Sequence, residues 1–109
     1  MLTWDYLIKS AHALAQEKGW YNPPKTFGEE ILLMHSELSE AVEEYRKGHE
    51  ITATRVENGK PEGIPIEFAD LVIRLAQTCG RFGIDIETAL YQKMEYNKGR
   101  SYRHGGKVL

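Results

Sequence analysis

With 109 residues, 14 Lys or Arg against 16 Asp or Glu, and a formal net charge of −2, the chain has room for one domain and lacks the basic surplus of a dedicated nucleic-acid binder. Its single cysteine, Cys79, excludes an internal disulfide, no signal-peptide pattern appears, and no apolar run approaches the roughly 20 residues that cross a membrane. One cytoplasmic domain over residues 1–109 is expected, with a core small enough that partner subunits would add to its burial.

Thr3 suits the N-cap of a first helix that runs to about Lys18 and stops at Gly19. Trp4, Leu7, Ile8, Ala11, Leu14 and Ala15 recur at helical spacing and form its apolar face. Trp20-Tyr21-Asn22-Pro23-Pro24 then makes a stiff aromatic connection, because the prolines cannot continue a helix. Trp20 there suits stacking on a flat ligand and packing within the loop equally well.

The second helix has the clearest start. Thr26-Phe27-Gly28-Glu29 fits a capping box, and Arg46-Lys47-Gly48 supplies a basic last turn and a glycine stop. At ~100° per residue, Glu30, Glu37, Glu40 and Glu44 fall on one strip, with Met34, Leu38, Ala41, Val42 and Tyr45 on the strip beside it. Residues 49–63 read less sharply. The alternation of Ile51-Thr52-Ala53-Thr54-Arg55-Val56 and the Asn58-Gly59 pair suit a short hairpin, an ordered loop or a mobile insert.

Pro65 fits the first turn of a third helix that ends near the glycines at 80 and 83. Glu67, Asp70 and Arg74 share one strip of it, and Phe68, Leu71, Val72, Leu75 and Cys79 lie alongside. Packing of the two apolar strips on each other would leave the carboxylates at the rim of the core. Asp85 suits the cap of a fourth helix, which carries Ile86, Leu90, Lys93, Met94, Asn97 and Arg100 within about half its circumference. The tail from Ser101 to Lys107 is basic, glycine-containing and expected to be irregular. The predicted fold is all-α: a four-helix bundle with a short irregular or hairpin insert between helices 2 and 3.

The chemistry concentrates in two short words, Glu37-Leu38-Ser39-Glu40 and Glu67-Phe68-Ala69-Asp70, each placing two carboxylates one turn apart on one side of a helix. One such pair is ordinarily a solvated face. Two pairs beside the core stripes of helices expected to pack together would repel one another unless a cation neutralises them. All-oxygen donors suit Mg²⁺ or Mn²⁺ better than zinc or copper. Lys93, Asn97 and Arg100 share a face and are all able to contact phosphate oxygens, although Arg100 alone reads as readily as a favourable charge at a helix end. The histidines at 12, 35, 49 and 104 show no ligand spacing, and His35 reads as a packed residue. No Glu-x-x-His word follows either acid pair, which argues against a ferritin-like di-iron bundle. Cys79 faces the core stripe and reads as packing.

Taken together, these words resemble the MazG-like branch of the all-α NTP pyrophosphohydrolases, which carries E-E-x-x-E, a variable spacer and E-x-x-D on two helices of a bundle. The first word here reads Ser36-Glu37-Leu38-Ser39-Glu40, so Ser36 replaces the leading Glu. The likeness continues through Pro61-Glu62-Gly63-Ile64-Pro65-Ile66, Lys93-x-x-x-Asn97-x-x-Arg100 and His104-Gly105-Gly106-Lys107. The resemblance implies Mg²⁺-dependent hydrolysis of a nucleoside triphosphate, a deoxynucleotide above all, to the monophosphate and pyrophosphate, as in nucleotide-pool house-cleaning. It implies Glu37, Glu40, Glu67 and Asp70 as catalytic metal ligands, Lys93, Asn97 and Arg100 as substrate contacts, and a homodimer or homotetramer with no nucleic-acid or membrane partner. The alternative is a non-enzymatic helical interaction or regulatory protein with a structural or vestigial metal site.

Overall fold

A computed structural model describes residues 2–100 of the chain. It is mostly helical, in the order α1 (Trp4–Glu17), α2 (Phe27–Arg46), β1 (Arg55–Glu57), β2 (Lys60–Glu62), α3 (Ile64–Phe82) and α4 (Ile86–Lys98). The tail after Arg100, including His104-Gly105-Gly106-Lys107, lies outside the described residues. No helix among the described residues is long and apolar enough to cross a membrane.

The helix starts follow the side chains that cap them. The Thr3 hydroxyl accepts from the Tyr6 amide at 3.1 Å, and Asp85 accepts from the Thr88 amide at 3.1 Å. Both halves of the predicted capping box form: Glu29 N–H donates to the Thr26 hydroxyl, and Thr26 N–H donates to the Glu29 carboxylate, each at 3.1 Å. Pro65 falls in the first turn of α3, and Gly83 ends that helix in the left-handed conformation.

Helix α3 is central, with α1 and α2 both packed against it. The α1–α3 approach depends on a missing side chain. A Cβ built on Gly80 would lie 2.9 Å from the Cβ of His12, so any larger residue would push the helices apart. The buried apolar residues are Ala11 and Ala15 of α1, Ala41 of α2, and Ile64, Ala76 and Cys79 of α3, mostly small side chains that let the helices come close.

Residues 49–63 contain the hairpin among the three conformations open to them. Strands β1 and β2 pair antiparallel, with Arg55 opposite Glu62, Val56 opposite Pro61 and Glu57 opposite Lys60. Asn58 and Gly59 both have positive φ, as a two-residue primed turn requires. At the hairpin base, Gly63 has φ +131°, and a Cβ there would meet the Ala53 carbonyl oxygen at 2.5 Å, so only glycine fits this junction into α3.

Two expectations are corrected. The apolar strips turn inward only in part: Ala41 and Cys79 are buried, but Leu38, Val42, Tyr45, Phe68 and Val72 are exposed, whereas Glu30, Glu37, Glu44 and Glu67 are buried. Arginines distant in sequence reach the inward acids and offset the charge that would otherwise turn that strip to solvent. Nor is α4 packed as an equal fourth member of a bundle. It has no buried residue and exposes Tyr91, Met94 and Tyr96, because its apolar positions are too few and too scattered to cover a core face. His35 is likewise exposed rather than packed.

Candidate acidic site

The inward carboxylates divide into two electrostatic groups. In the first, arginine compensates each acid. Arg81 donates to Glu30 at 2.8 Å, Arg74 Nε donates to Glu37 at 2.7 Å, and Arg55 grips both oxygens of Glu44 at 2.9 and 3.1 Å. Arg55 hydrogen bonding holds Glu44 below the usual carboxylate range. Arg81 also lies 5.5 Å from the centroid of the Tyr21 ring and 4.7 Å from that of Phe82.

The second group is Glu67 and Asp70, which none of these pairs includes. Burial first, then the charges of Asp70 and Glu37, pushes the Glu67 carboxyl up to about 7. Burial and the charge of Glu37 likewise raise Asp70, opposed by Arg74 and Lys60. One oxygen from each of Glu37, Glu67 and Asp70 lies within 4.8 Å of the other two. Glu44, Glu62 and Glu67 make a second set of the same closeness. Glu40 stands outside both sets, yet it lines the same groove, and its charge adds to the rise at Glu67. The donors are all oxygen, and Glu67 and Asp70 have no arginine hydrogen-bonded to them among the described residues, a combination that fits a hard divalent cation.

Two cavities meet at this cluster. The first, about 700 Å³, lies between α1, α2, α3 and the aromatic connection, and Leu7, Leu14, Trp20, Tyr21 and Ile73 supply much of its wall. Tyr21 is held there by His12 Nδ1, 2.9 Å from its hydroxyl, and by donating at 3.2 Å to the Gln77 carbonyl. The second is a groove of about 470 Å³, lined almost wholly by charged residues of α2, α3 and the hairpin. Glu37 and Asp70 line both.

The structure therefore brings Glu37, Glu67 and Asp70 together, sets Glu40 beside them and puts Trp20 in the wall of the adjoining cavity. It does not bring the α4 residues there. Lys93 lies 4.9 Å from the centroid of the Tyr96 ring, Arg100 lies 5.8 Å from it, and neither they nor Asn97 line either cavity. Sequence reasoning missed Tyr21 as a cavity wall and Arg55, Lys60 and Glu62 as groove residues. The signal for the last three was the hairpin alternation, which places Arg55, Glu57, Lys60 and Glu62 on one face once the Asn58-Gly59 turn sets the register. Comparisons of the chain with protein-family models, curated proteins and solved structures give no match.

Proposed function

We propose that this protein is a Mg²⁺-dependent nucleoside triphosphate pyrophosphohydrolase of the MazG-like all-α type, acting on an NTP or dNTP in nucleotide-pool house-cleaning. Water and the triphosphate give the monophosphate and pyrophosphate. One observation carries the reading: Glu37 and Asp70, with Glu67 beside them, stand where a partly aromatic cavity of about 700 Å³ meets a charged groove.

In this reading Glu37, Glu40, Glu67 and Asp70 would hold Mg²⁺, with Mn²⁺ as a substitute. Bound metal supplies neutralisation of phosphate charge, polarisation of a phosphoryl oxygen and a more acidic water. Trp20 stacks on the base and, with Tyr21, closes the nucleoside side. Arg74, tied to Glu37 on the cavity wall, keeps that carboxylate turned toward Asp70 and Glu67. Lys93, Asn97 and Arg100 reach the phosphates from a neighbouring copy in a homodimer or homotetramer. That assignment is supported by the sparse packing of α4 and by the exposed apolar stripe of α2.

The second reading, a non-enzymatic helical protein with a structural acid cluster, draws on the internal arginine pairs, which already neutralise Glu30, Glu37 and Glu44. Pyrophosphate release from a nucleotide panel, with Mg²⁺ and with excess chelator, separates the two. Metal-dependent release abolished by Glu67→Gln, with a changed order of base preference in Trp20→Ala, is expected. No release from any nucleotide by the folded protein would leave the second reading standing.

A further inference from the structure

The hairpin reaches over the acidic cluster with a charged face whose role the proposed reaction leaves open. Its register and alternation turn Arg55, Glu57, Lys60 and Glu62 to one side, and all four line the charged groove opposite Glu37, Glu40, Glu67 and Asp70. Val56, on the other side, is exposed to solvent.

The hairpin cations are bound very differently. Arg55 is fully engaged, with two hydrogen bonds to Glu44 and one of 2.8 Å to Glu57, and so clasps the hairpin to α2. Among the described residues Lys60 is held only by Glu62 at 3.7 Å, and its side chain is 76% exposed. Lys47, at the C-cap of α2, lines the same groove. Among the described residues, the groove thus holds two lysines without a close fixed partner, Lys47 at the end of α2 and Lys60 on the hairpin, set among acids of both elements.

The partly aromatic cavity lies on the far side of Glu37 and Asp70. A triphosphate with its base against Trp20 and its α-phosphate at the shared carboxylates would extend its outer phosphates along the hairpin. We infer that the hairpin is a pyrophosphate grip: Lys60 and Lys47 bind the β- and γ-phosphates, the half that departs, and Arg55 is a positioning residue that pins the grip to α2 through Glu44. This rests on the proposed reaction for its biological role. The anion contact itself rests on the groove. A lysine on a flexible stem, with three rotatable donors, suits a pyrophosphate that must first bind and then leave.

Magnesium pyrophosphate titrated calorimetrically into the wild-type protein, Lys60→Ala, Lys47→Ala, their double variant and Lys60→Arg tests the grip. Loss of each lysine should weaken pyrophosphate binding about tenfold, as expected for one charge-assisted contact. Lys60→Arg should stay near wild type. The far-ultraviolet circular dichroism and inhibition by the nucleoside monophosphate should not move, whereas a general loss of structure would move both. For an active nucleotide, KM should rise in step with the pyrophosphate dissociation constant. Wild-type pyrophosphate affinity in the double variant, or no binding by the wild-type protein, overturns the grip. Lysine-dependent pyrophosphate binding by a protein that cleaves no nucleotide would support the grip and overturn the proposed reaction.

Discussion

Arg74 Nε lies 2.7 Å from Glu37 Oε1, joining α3 to α2 at one of the two carboxylates shared by the cavity and the groove. The guanidinium is half-buried and the carboxylate nearly enclosed, so the pair falls between the exposed and buried limits for ion pairs.

Arg74→Ala should therefore cost about 1–2 kcal/mol in chelator, or roughly 5–15 °C in melting temperature for a chain of this size. Glu37 would then face Glu67 and Asp70 without its arginine, so added Mg²⁺ should raise the melting temperature more in the variant than in the wild type. Thermal melts with and without MgCl₂ measure both quantities. An equal or smaller Mg²⁺ shift in the variant would mean that Arg74 and the metal do not share Glu37.

Glu67 predicts a pH dependence. Its folded-state value, about 7, lies above its ordinary 4.5, so the folded chain holds this proton more tightly than the unfolded chain does. The resulting stability is fully present below pH 4.5 and is lost as pH rises through about 7. Asp70 shifts in the same direction. Metal-free protein should lose stability across that interval, and Glu67→Gln should flatten the curve. Mg²⁺ binds the ionised carboxylate, so its affinity should show the opposite trend, falling up to tenfold per pH unit below about 7. Denaturant melts in chelator and Mg²⁺ titrations over the same pH series check the two slopes, and a flat Mg²⁺ affinity would remove Glu67 from the ligand set.

The outward apolar stripe predicts association. Leu38, Val42 and Tyr45 are 44%, 55% and 66% exposed along α2, and covering the part still exposed is worth roughly half of the 1.5–3 kcal/mol for burying such a side chain completely. Light scattering on the eluting protein should find a dimer or tetramer, and Val42→Glu with Tyr45→Glu should shift it toward monomer without loss of helical circular dichroism. Turnover should fall with the shift, because Lys93 and Asn97 would lose the neighbouring site they serve. Lys93→Ala and Asn97→Ala in the intact oligomer should each lower turnover or triphosphate affinity ten- to hundredfold while sparing Mg²⁺ binding. A wild-type monomer at micromolar concentration would remove both expectations.

The sequence by itself determined where the elements begin and end and which residues share a face. Thr3, Thr26, Glu29 and Asp85 act on amides within one turn, and Asn58-Gly59 sets the hairpin register through its own backbone. Helical spacing likewise put Glu37 with Glu40 and Glu67 with Asp70. Only the tertiary structure decided which face turned inward. Periodicity groups side chains around a helix but carries no direction toward a neighbour, and an acidic strip turns inward only where compensation arrives from elsewhere in the chain. Arg74 and Arg81 bring it from α3 and Arg55 from the hairpin, 37, 51 and 11 residues from their partners. The small residues Ala11, Ala15, Ala41, Ala76 and Gly80 let the helices approach closely enough for those long side chains to close the gaps. Lys60 shows the same division: its place in the hairpin register was local, but its position in the groove with Asp70 follows from the Arg55–Glu44 clasp and the glycine junction into α3.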